Sequence, residues 1–381
     1  MCSLHFDFYE KIVWVAVIIF IIVGIICRQN PLRKRGGIGQ PLPNPICLIL
    51  PMIFFVLMAG FRKNVGDTPF YVYSFEMFDS DHLPDVTAEM FVEDMFNFLQ
   101  IILRHFTDDG TWLCMFSAIF ALPVPLIIMY KYAYPFEYTI YLFVAYGYFG
   151  GMMNGMRQYM AAAITILGTR YLFSLKWSSF IKYAAIIILG WCMHNSALIL
   201  IPIYFVVRRK AWQISSYMII LGGVAVTLAA DMLLPSFLGA LEDTSYSEYA
   251  TNGWFSGSEG GSSIGRALVA IAPIAVAFFN RDRMKRLGHV GDVLTNIAFV
   301  NAAILIVSTY NWIFARLAIY LMIYYFIFTT WVVFNAVKPS EKTIYVTAAT
   351  IGFFLFYRTQ AFQIAMYMSD YFFPGRRLFR S

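Results

Sequence analysis

Lys11-Ile-Val-Trp-Val-Ala-Val-Ile-Ile-Phe-Ile-Ile-Val-Gly-Ile-Ile-Cys27, followed at once by Arg28-Gln-Asn-Pro-Leu-Arg33-Lys34-Arg35, decides the fold class and the orientation of this chain. From Ile12 to Cys27 no residue is charged or polar, so the run reads as a helix crossing a bilayer. It is a poor signal peptide, because Asp7 and Glu10 stand where a basic flank belongs and no small-x-small cleavage site follows. The loop after it holds four basic residues and no acid, which places it in the cytoplasm and the N-terminus outside.

The rest of the chain repeats the pattern. Of 381 residues, 60% are apolar, 18% aromatic and only 13% charged, with a mean hydropathy of +0.66. A soluble domain is about 45–50% apolar and about 25% charged. Soluble enzyme folds, disorder and fibrous classes are excluded by these numbers, and continuous apolar runs argue against an outer-membrane barrel. The expected fold is an all-α polytopic membrane protein, a single integral-membrane domain over residues 1–381 with about twelve transmembrane helices (range eleven to fourteen). The apolar runs are 11–27, 44–61, 111–130, 136–154, 157–174, 180–193, 195–207, 214–230, 265–280, 291–309, 313–335 and 341–357.

Basic residues test the topology. Lys131, Lys176 and Lys182, Arg208 to Lys210, Arg281 to Arg286, and Lys338 and Lys342 all fall inside only if 180–207 is two short helices. Lys182 and Arg208 flank that stretch, so a re-entrant or broken pair with His194-Asn195-Ser196 at its tip is expected. Arg376, Arg377 and Arg380 strain the scheme, and Gln360 to Phe373 is left open as a further short pass.

Two longer segments fall outside. Segment 62–110 carries ten acids against three basic residues. From Thr87 to His105 it places Met90, Phe91, Met95, Phe98, Ile101 and Ile102 at helical spacing, which predicts an amphipathic helix at the outer interface. Segment 231–264 ends in Ser256-Gly-Ser-Glu-Gly-Gly-Ser-Ser263, the composition of a lid.

Polar residues then gather at one membrane depth. Arg62, Asp67, Arg157, Gln158, His194, Arg266, Asn311, Arg316 and Arg358 all sit at outer ends of spans. A central Arg costs at least about 2.5 kcal/mol in a bilayer, so such residues usually face an interior cavity. A lone Arg62 would as readily snorkel to lipid phosphates. Arg157 is harder to dismiss, because it follows Asn154-Gly155-Met156 at a helix start, where guanidinium and free N–H groups meet an anion together. Arg266 follows Gly265 at a similar start, and Arg316 lies one turn inside its helix. The set points to a phosphate-like headgroup. His194 is either a packed core imidazole or a general base toward a hydroxyl. Asp67 is the alternative base, or a solvated turn residue. Tyr71 and Tyr73 suit sugar stacking and also an interfacial belt.

Other chemistry is missing from the sequence. There is no P-loop, no HExxH and no DxD pair in a cytoplasmic loop, and the five cysteines show no CxxC spacing. Neither a metal nor a cofactor is expected, and the scattered basic residues do not suggest nucleic acid.

Four segments carry a resemblance. Gly60-Phe-Arg62-Lys-Asn-Val-Gly66-Asp67-Thr-Pro-Phe-Tyr71 resembles the G-x-R-x-x-x-G-x-D-x-x-x-Y stretch of the EpsG/Wzy-type polysaccharide polymerases, with one residue missing between Gly and Asp. Asn154-Gly-Met-Arg157-Gln158-Tyr-Met-Ala161 is similar to the family's N-x-x-R-Q-x-x-A segment. His194-Asn-Ser-Ala-Leu198 is similar to its H-x-S-A-L, and Asn311 through Arg316 to Tyr320 to its later R-x-x-x-Y helix. The acidic stretch between Ser74 and Asp109 is less family-like and is expected to shape the acceptor side.

The resemblance implies a GT-C-type glycosyltransferase of the bacterial cytoplasmic membrane with an outward-facing site. It would join undecaprenyl-diphosphate-linked oligosaccharide units, donor and acceptor both, without nucleotide sugar or ATP. The bilayer, a flippase and a chain-length regulator are the implied partners. Under it, Arg157, Arg266 and Arg316 hold the diphosphate, His194 takes the acceptor proton, and Arg62 and Asp67 position the donor. Gln158, Tyr71, Asn311, Tyr320 and Arg358 complete the substrate site. An O-antigen ligase and a lipid-linked-glycan flippase are the rival readings.

Overall fold

The computed structural model describes residues 8–32, 34–79, 84–233, 260–360, 367–369 and 371–372. Among them the elements are helical, apart from one isolated bridge between Arg35 and Pro41. Among the described residues, three helices are long and apolar enough to cross a membrane: Phe8–Gln29, Thr111–Tyr132 and Arg281–Val307. Seven shorter apolar helices of 10–17 residues accompany them, including Ile46–Gly60, Ser179–Met193, Asn195–Val207 and Ile264–Phe279. The chain is a multi-pass membrane protein. The lid expected over 231–264 and the further pass over 360–373 lie largely outside the described residues, as do the C-terminal arginines.

The chain forms two compact units, residues 1–203 with 347–381, and residues 204–346. In the first, α1 (Phe8–Gln29) shows what a membrane does to a helix. Val15, Ile18, Ile19, Ile22, Ile25 and Ile26 point outward as a lipid face. Val13, Ala16, Val17, Phe20 and Gly24 point inward, against α2 (Ile46–Gly60) and the helix Phe136–Ala145. A Cβ on Gly24 would come within 2.4 Å of Glu137 Cβ, so a glycine is needed for the close approach. Ion pairs tie both ends of α1: Arg28 to Glu137 at 2.9 Å, and Glu10 to Arg358 at 3.0 Å. Every residue of Phe136–Ala145 is buried, as expected of a helix that is hydrophobic all round.

After α2 the chain turns through 61–67 into α3 (Thr68–Glu76). The amphipathic stretch is two helices rather than one, α4 (Ala88–Glu93) and α5 (Met95–Arg104). Thr87 caps the first by accepting from Met90 N at 3.1 Å. Asp94 leaves helical geometry at φ −150°, ψ 78° and caps the second, accepting from Asn97 N at 3.1 Å. Asp is a good N-cap and a poor interior residue, which is why the helix restarts there. Met95, Phe96 and Ile101 are its buried apolar face, and both helices pack on Ser179–Met193.

In the second unit, Gly288–Val307 is the central helix. It packs against Ile214–Leu228, Ile264–Phe279 and Met322–Trp331. The run 313–335, expected as one span, is broken: Trp312–Tyr320 is a 3-10 helix, and it meets Met322–Ala336 at 69°. Runs of 3-10 helix longer than a turn are uncommon, because the hydrogen-bond geometry is poorer.

Candidate functional site

The site in the first unit is built around three helix starts. The first is the turn from α2 into α3. Arg62 is buried there and points back into the protein. Its Nε donates to Thr68 Oγ1 at 3.0 Å and to Met153 O at 3.1 Å, and Nη1 donates to Ala59 O. Its Nη2 is buried with no hydrogen-bond partner among the described residues. Arg62 thus staples the end of α2 to the α3 turn and to the helix Tyr148–Asn154. Gly66 takes φ +54°, and a Cβ on it would lie 2.1 Å from Asn154 Oδ1. Asp67 N donates to that same oxygen at 2.7 Å. The two segments named from sequence, 60–71 and 154–161, are therefore in direct contact. The Asp67 carboxylate is exposed and forms no ion pair among the described residues.

The second start is that of Met156–Thr165. No side chain caps it, so the N–H groups of its first turn face away from the helix. Arg157 occupies this turn. Its Nη2 meets Asp94 Oδ1 at 2.8 Å, and its guanidinium lies 5.4 Å from the Phe96 ring centroid. Phe96 in turn packs edge-on against Tyr71 at 5.6 Å. Both partners of the ion pair are more than a third exposed. A carboxylate here occupies the kind of place an anionic ligand would take.

The third start follows His194. The helix Ser179–Met193 stops, His194 is extended at φ −158°, ψ 119°, and a 3-10 turn begins at Asn195. The break expected from charge parity falls at this residue. His194 Nδ1 accepts from Ser196 N at 3.3 Å and lies 2.8 Å from Ser196 Oγ. Gln158, buried next to Arg157, donates from Nε2 to Ser196 Oγ at 3.4 Å. The second and third starts are joined by this chain of hydrogen bonds.

Asp67, Tyr71, Arg157, Gln158 and His194 are thus brought together, with Arg62 behind them. Arg358 belongs to the same unit and is held by Glu10. The remaining four predicted residues lie in the second unit. Arg266 opens Ile264–Phe279, where Ser263 caps the helix by accepting from Gly265 N at 3.2 Å. Arg316 lies on the 3-10 helix, 5.0 Å from the Trp312 ring, and Tyr320 is buried at its end. Asn311 repeats the His194 device: it is extended, and its Oδ1 accepts from Ile313 N at 2.9 Å. Tyr310 donates to Asp231 at 2.8 Å, which holds its phenol above the usual tyrosine range.

Sequence reasoning missed Asp94 and Ser196 as partners of the site. Asp94 was legible as an N-cap, Asp-x-x-Asn97, inside an otherwise apolar helical pattern. Ser196 was legible only as part of a short motif.

Fold and site together define an all-helical, multi-pass membrane protein with an arginine on an uncapped helix start. Its sequence matches the family model described as EpsG family over residues 46–374, and the chain belongs to the EpsG family. No curated protein and no solved structure matches it. The matched range contains all four motif segments and the whole of the second unit, and it takes in most of the first.

Proposed function

We propose that this protein is an integral-membrane glycosyltransferase that joins lipid-diphosphate-linked oligosaccharide units into a long polysaccharide. The carrier is undecaprenyl diphosphate, and the site faces the outer side of the bacterial cytoplasmic membrane. The observation that carries this reading is Arg157, set on an uncapped helix N-terminus and already engaged by a carboxylate. Guanidinium and helix N–H groups together suit a diphosphate that gains charge as it leaves.

The reaction balances without nucleotide or metal. The bond between the donor's anomeric carbon and the diphosphate oxygen breaks, and that oxygen leaves with its electron pair. The acceptor hydroxyl oxygen bonds to the anomeric carbon, and its proton passes to a carboxylate. Asp67 is exposed and forms no ion pair among the described residues, so it is suited to receive that proton. Arg62 fixes the turn that presents it. Tyr71, with Phe96, offers ring faces to a sugar. Arg266 and Arg316 of the second unit bind the same class of phosphate-bearing ligand, with Asn311 and Tyr320 fixing the 3-10 segment that carries Arg316.

The test uses the full-length protein in nanodiscs with a lipid-diphosphate-linked repeat unit and no nucleotide sugar, ATP or metal. A glycan ladder resolved by size, lost in Arg157→Ala and shortened in Arg316→Ala, is the expected result. Normal chain length in both variants overturns the site. Transfer of finished glycan to a lipid A core would mean a ligase. Movement of the unit across a sealed bilayer without a ladder would mean a flippase.

A further inference from the structure

The second unit carries a cluster that the glycan site does not use. Two basic runs, Arg208-Arg-Lys210 and Arg281-Asp-Arg-Met-Lys-Arg286, lie far apart in sequence. Each sits where helices end. The first lies between Val207 and the start of Ile214–Leu228, the second between the end of Ile264–Phe279 and the start of Gly288–Val307. Hydrogen bonds tie the first run to the helix that follows the second. Asp292 Oδ1 accepts from Ala211 N at 3.0 Å. One turn further on, the buried Asn296 donates from Nδ2 to Arg209 O at 2.8 Å and to Val207 O at 3.1 Å. Its Oδ1 accepts from Ser216 Oγ at 2.7 Å. Arg283 donates from Nη1 to Val337 O, so the end of Met322–Ala336 joins the same corner.

Trp212 stands among these ties. It is the one non-glycine residue with positive φ among the described residues, at +63°. Left-handed backbone is rare for a bulky residue and persists only where the surroundings enforce it. Two rings do so here, Phe278 at 5.8 Å and Phe299 at 5.5 Å. The Trp212 indole N–H forms no hydrogen bond among the described residues. Arg209, Lys210 and Arg286 are exposed and form no ion pair among them. Ile214 and Phe279, next to the two runs in the chain, are 79% and 81% exposed.

Orienting a loop across a membrane needs only positive charge. It needs no carboxylate and amide to pin the loop, and no strained tryptophan. Cations and an indole N–H meet a phosphate, and bare apolar side chains beside them meet glycerol and acyl chain. We propose that this corner of the second unit is a binding site for an anionic phospholipid, with Arg209, Lys210, Arg286 and the Trp212 N–H as its phosphate ligands. Arg266 opens the helix whose other end is Phe279, so the corner lies about 20 Å from that arginine. A bound headgroup offsets the mutual repulsion of the two runs and thereby stabilises the fold. The proposal does not rest on the polymerase reading, because binding is read without turnover.

The test uses full-length protein with phosphatidylglycerol as the anionic lipid and phosphatidylcholine as the neutral one. Native mass spectrometry of protein released from mixed nanodiscs reads the lipids retained, and thermal unfolding is followed in nanodiscs of each composition. The wild type is expected to retain phosphatidylglycerol preferentially and to unfold at a higher temperature with it, the gain shrinking as salt rises. Arg209→Gln/Lys210→Gln/Arg286→Gln is expected to weaken the preference about tenfold or more. A charge-matched control in the first unit, Lys34→Gln/Lys131→Gln/Lys176→Gln, should leave it within about twofold. A wild type without preference overturns the site. Equal behaviour of the two triple variants does so too, because net charge alone would then explain the effect. Inorganic phosphate that stabilises the wild type as much as the lipid does would make this a free-anion site and end the lipid assignment.

Trp212 gives a reading that removes no charge. Brominated acyl chains quench nearby tryptophan. The share of quenching that disappears in Trp212→Phe is expected to be larger with brominated phosphatidylglycerol than with brominated phosphatidylcholine. Equal shares would mean that Trp212 faces the bulk bilayer, and its place in the site would fall.

Discussion

Gly66 is where two separate motifs touch, and the contact is tight enough to be tested by one methyl group. Its φ of +54° suits glycine, and a side chain there would strike Asn154 Oδ1. Left-handed backbone costs a non-glycine residue about 1–2 kcal/mol before any clash. Gly66→Ala is therefore expected to lower stability by about 2 kcal/mol or more, read as thermal unfolding of the purified protein. Asn154→Ala in the Gly66→Ala background should recover the clash and leave the backbone strain, so a double variant as stable as the wild type would show that the strain was misjudged. Arg62 makes a second residue-scale argument. Buried and bonded to two carbonyls and a hydroxyl, it acts on the turn from behind rather than on a ligand. Lysine cannot reproduce that planar fork. Arg62→Lys should cost about 1–3 kcal/mol through lost charge-assisted hydrogen bonds, with pyrophosphate affinity unchanged in the folded fraction. A tenfold affinity loss at unchanged stability would return Arg62 to the ligand.

Among elements, the α4–α5 pair of helices is the one that reaches the arginine of the site. Its break at Asp94 does two things at once: it starts α5, and it delivers a carboxylate to Arg157. The pair is partly solvated, so it is worth no more than about 1 kcal/mol. Asp94→Asn keeps a capping oxygen for α5 and removes the charge. It should raise the affinity for inorganic pyrophosphate by about two- to fivefold, measured by calorimetry at low salt, with the gain fading as salt rises. Unchanged or weaker binding would mean that Asp94 does not compete for Arg157. Much of this element was legible beforehand. Helical spacing gave the stretch and, of its buried face, Met95 and Ile101, but it missed Phe96 and named Ile102, which is exposed; charge parity placed the break at His194. The 69° turn at Leu321 and the direction of the Ser196 bonds were not legible. Each is decided by which donor or acceptor happens to face the residue in space. Apolar periodicity is blind to that, because Leu321 and its neighbours are as hydrophobic as any straight span.

On the scale of the whole molecule, the first unit joins the beginning of the chain to its end. Tyr9 donates to Phe372 O at 2.6 Å, Trp14 packs on Phe354 and Tyr357, and Glu10 meets Arg358. Of these the ion pair is the decisive contact, because Glu10 is almost fully buried and Arg358 nearly so. Removing one partner of a buried pair leaves a bare charge in a low-dielectric setting, which costs about 3–5 kcal/mol, whereas replacing both by apolar residues is often neutral. Glu10→Gln should therefore destabilise the protein strongly, and Glu10→Leu with Arg358→Met should recover most of the loss. The same double variant separates two roles for Arg358, which the sequence placed among the substrate residues. If its guanidinium only ties α1 to the last helix, a stable Glu10→Leu/Arg358→Met protein should still build a full-length glycan ladder. If Arg358 also holds substrate, that protein will be stable and yet make short chains, because the fold is rescued while the cation is gone.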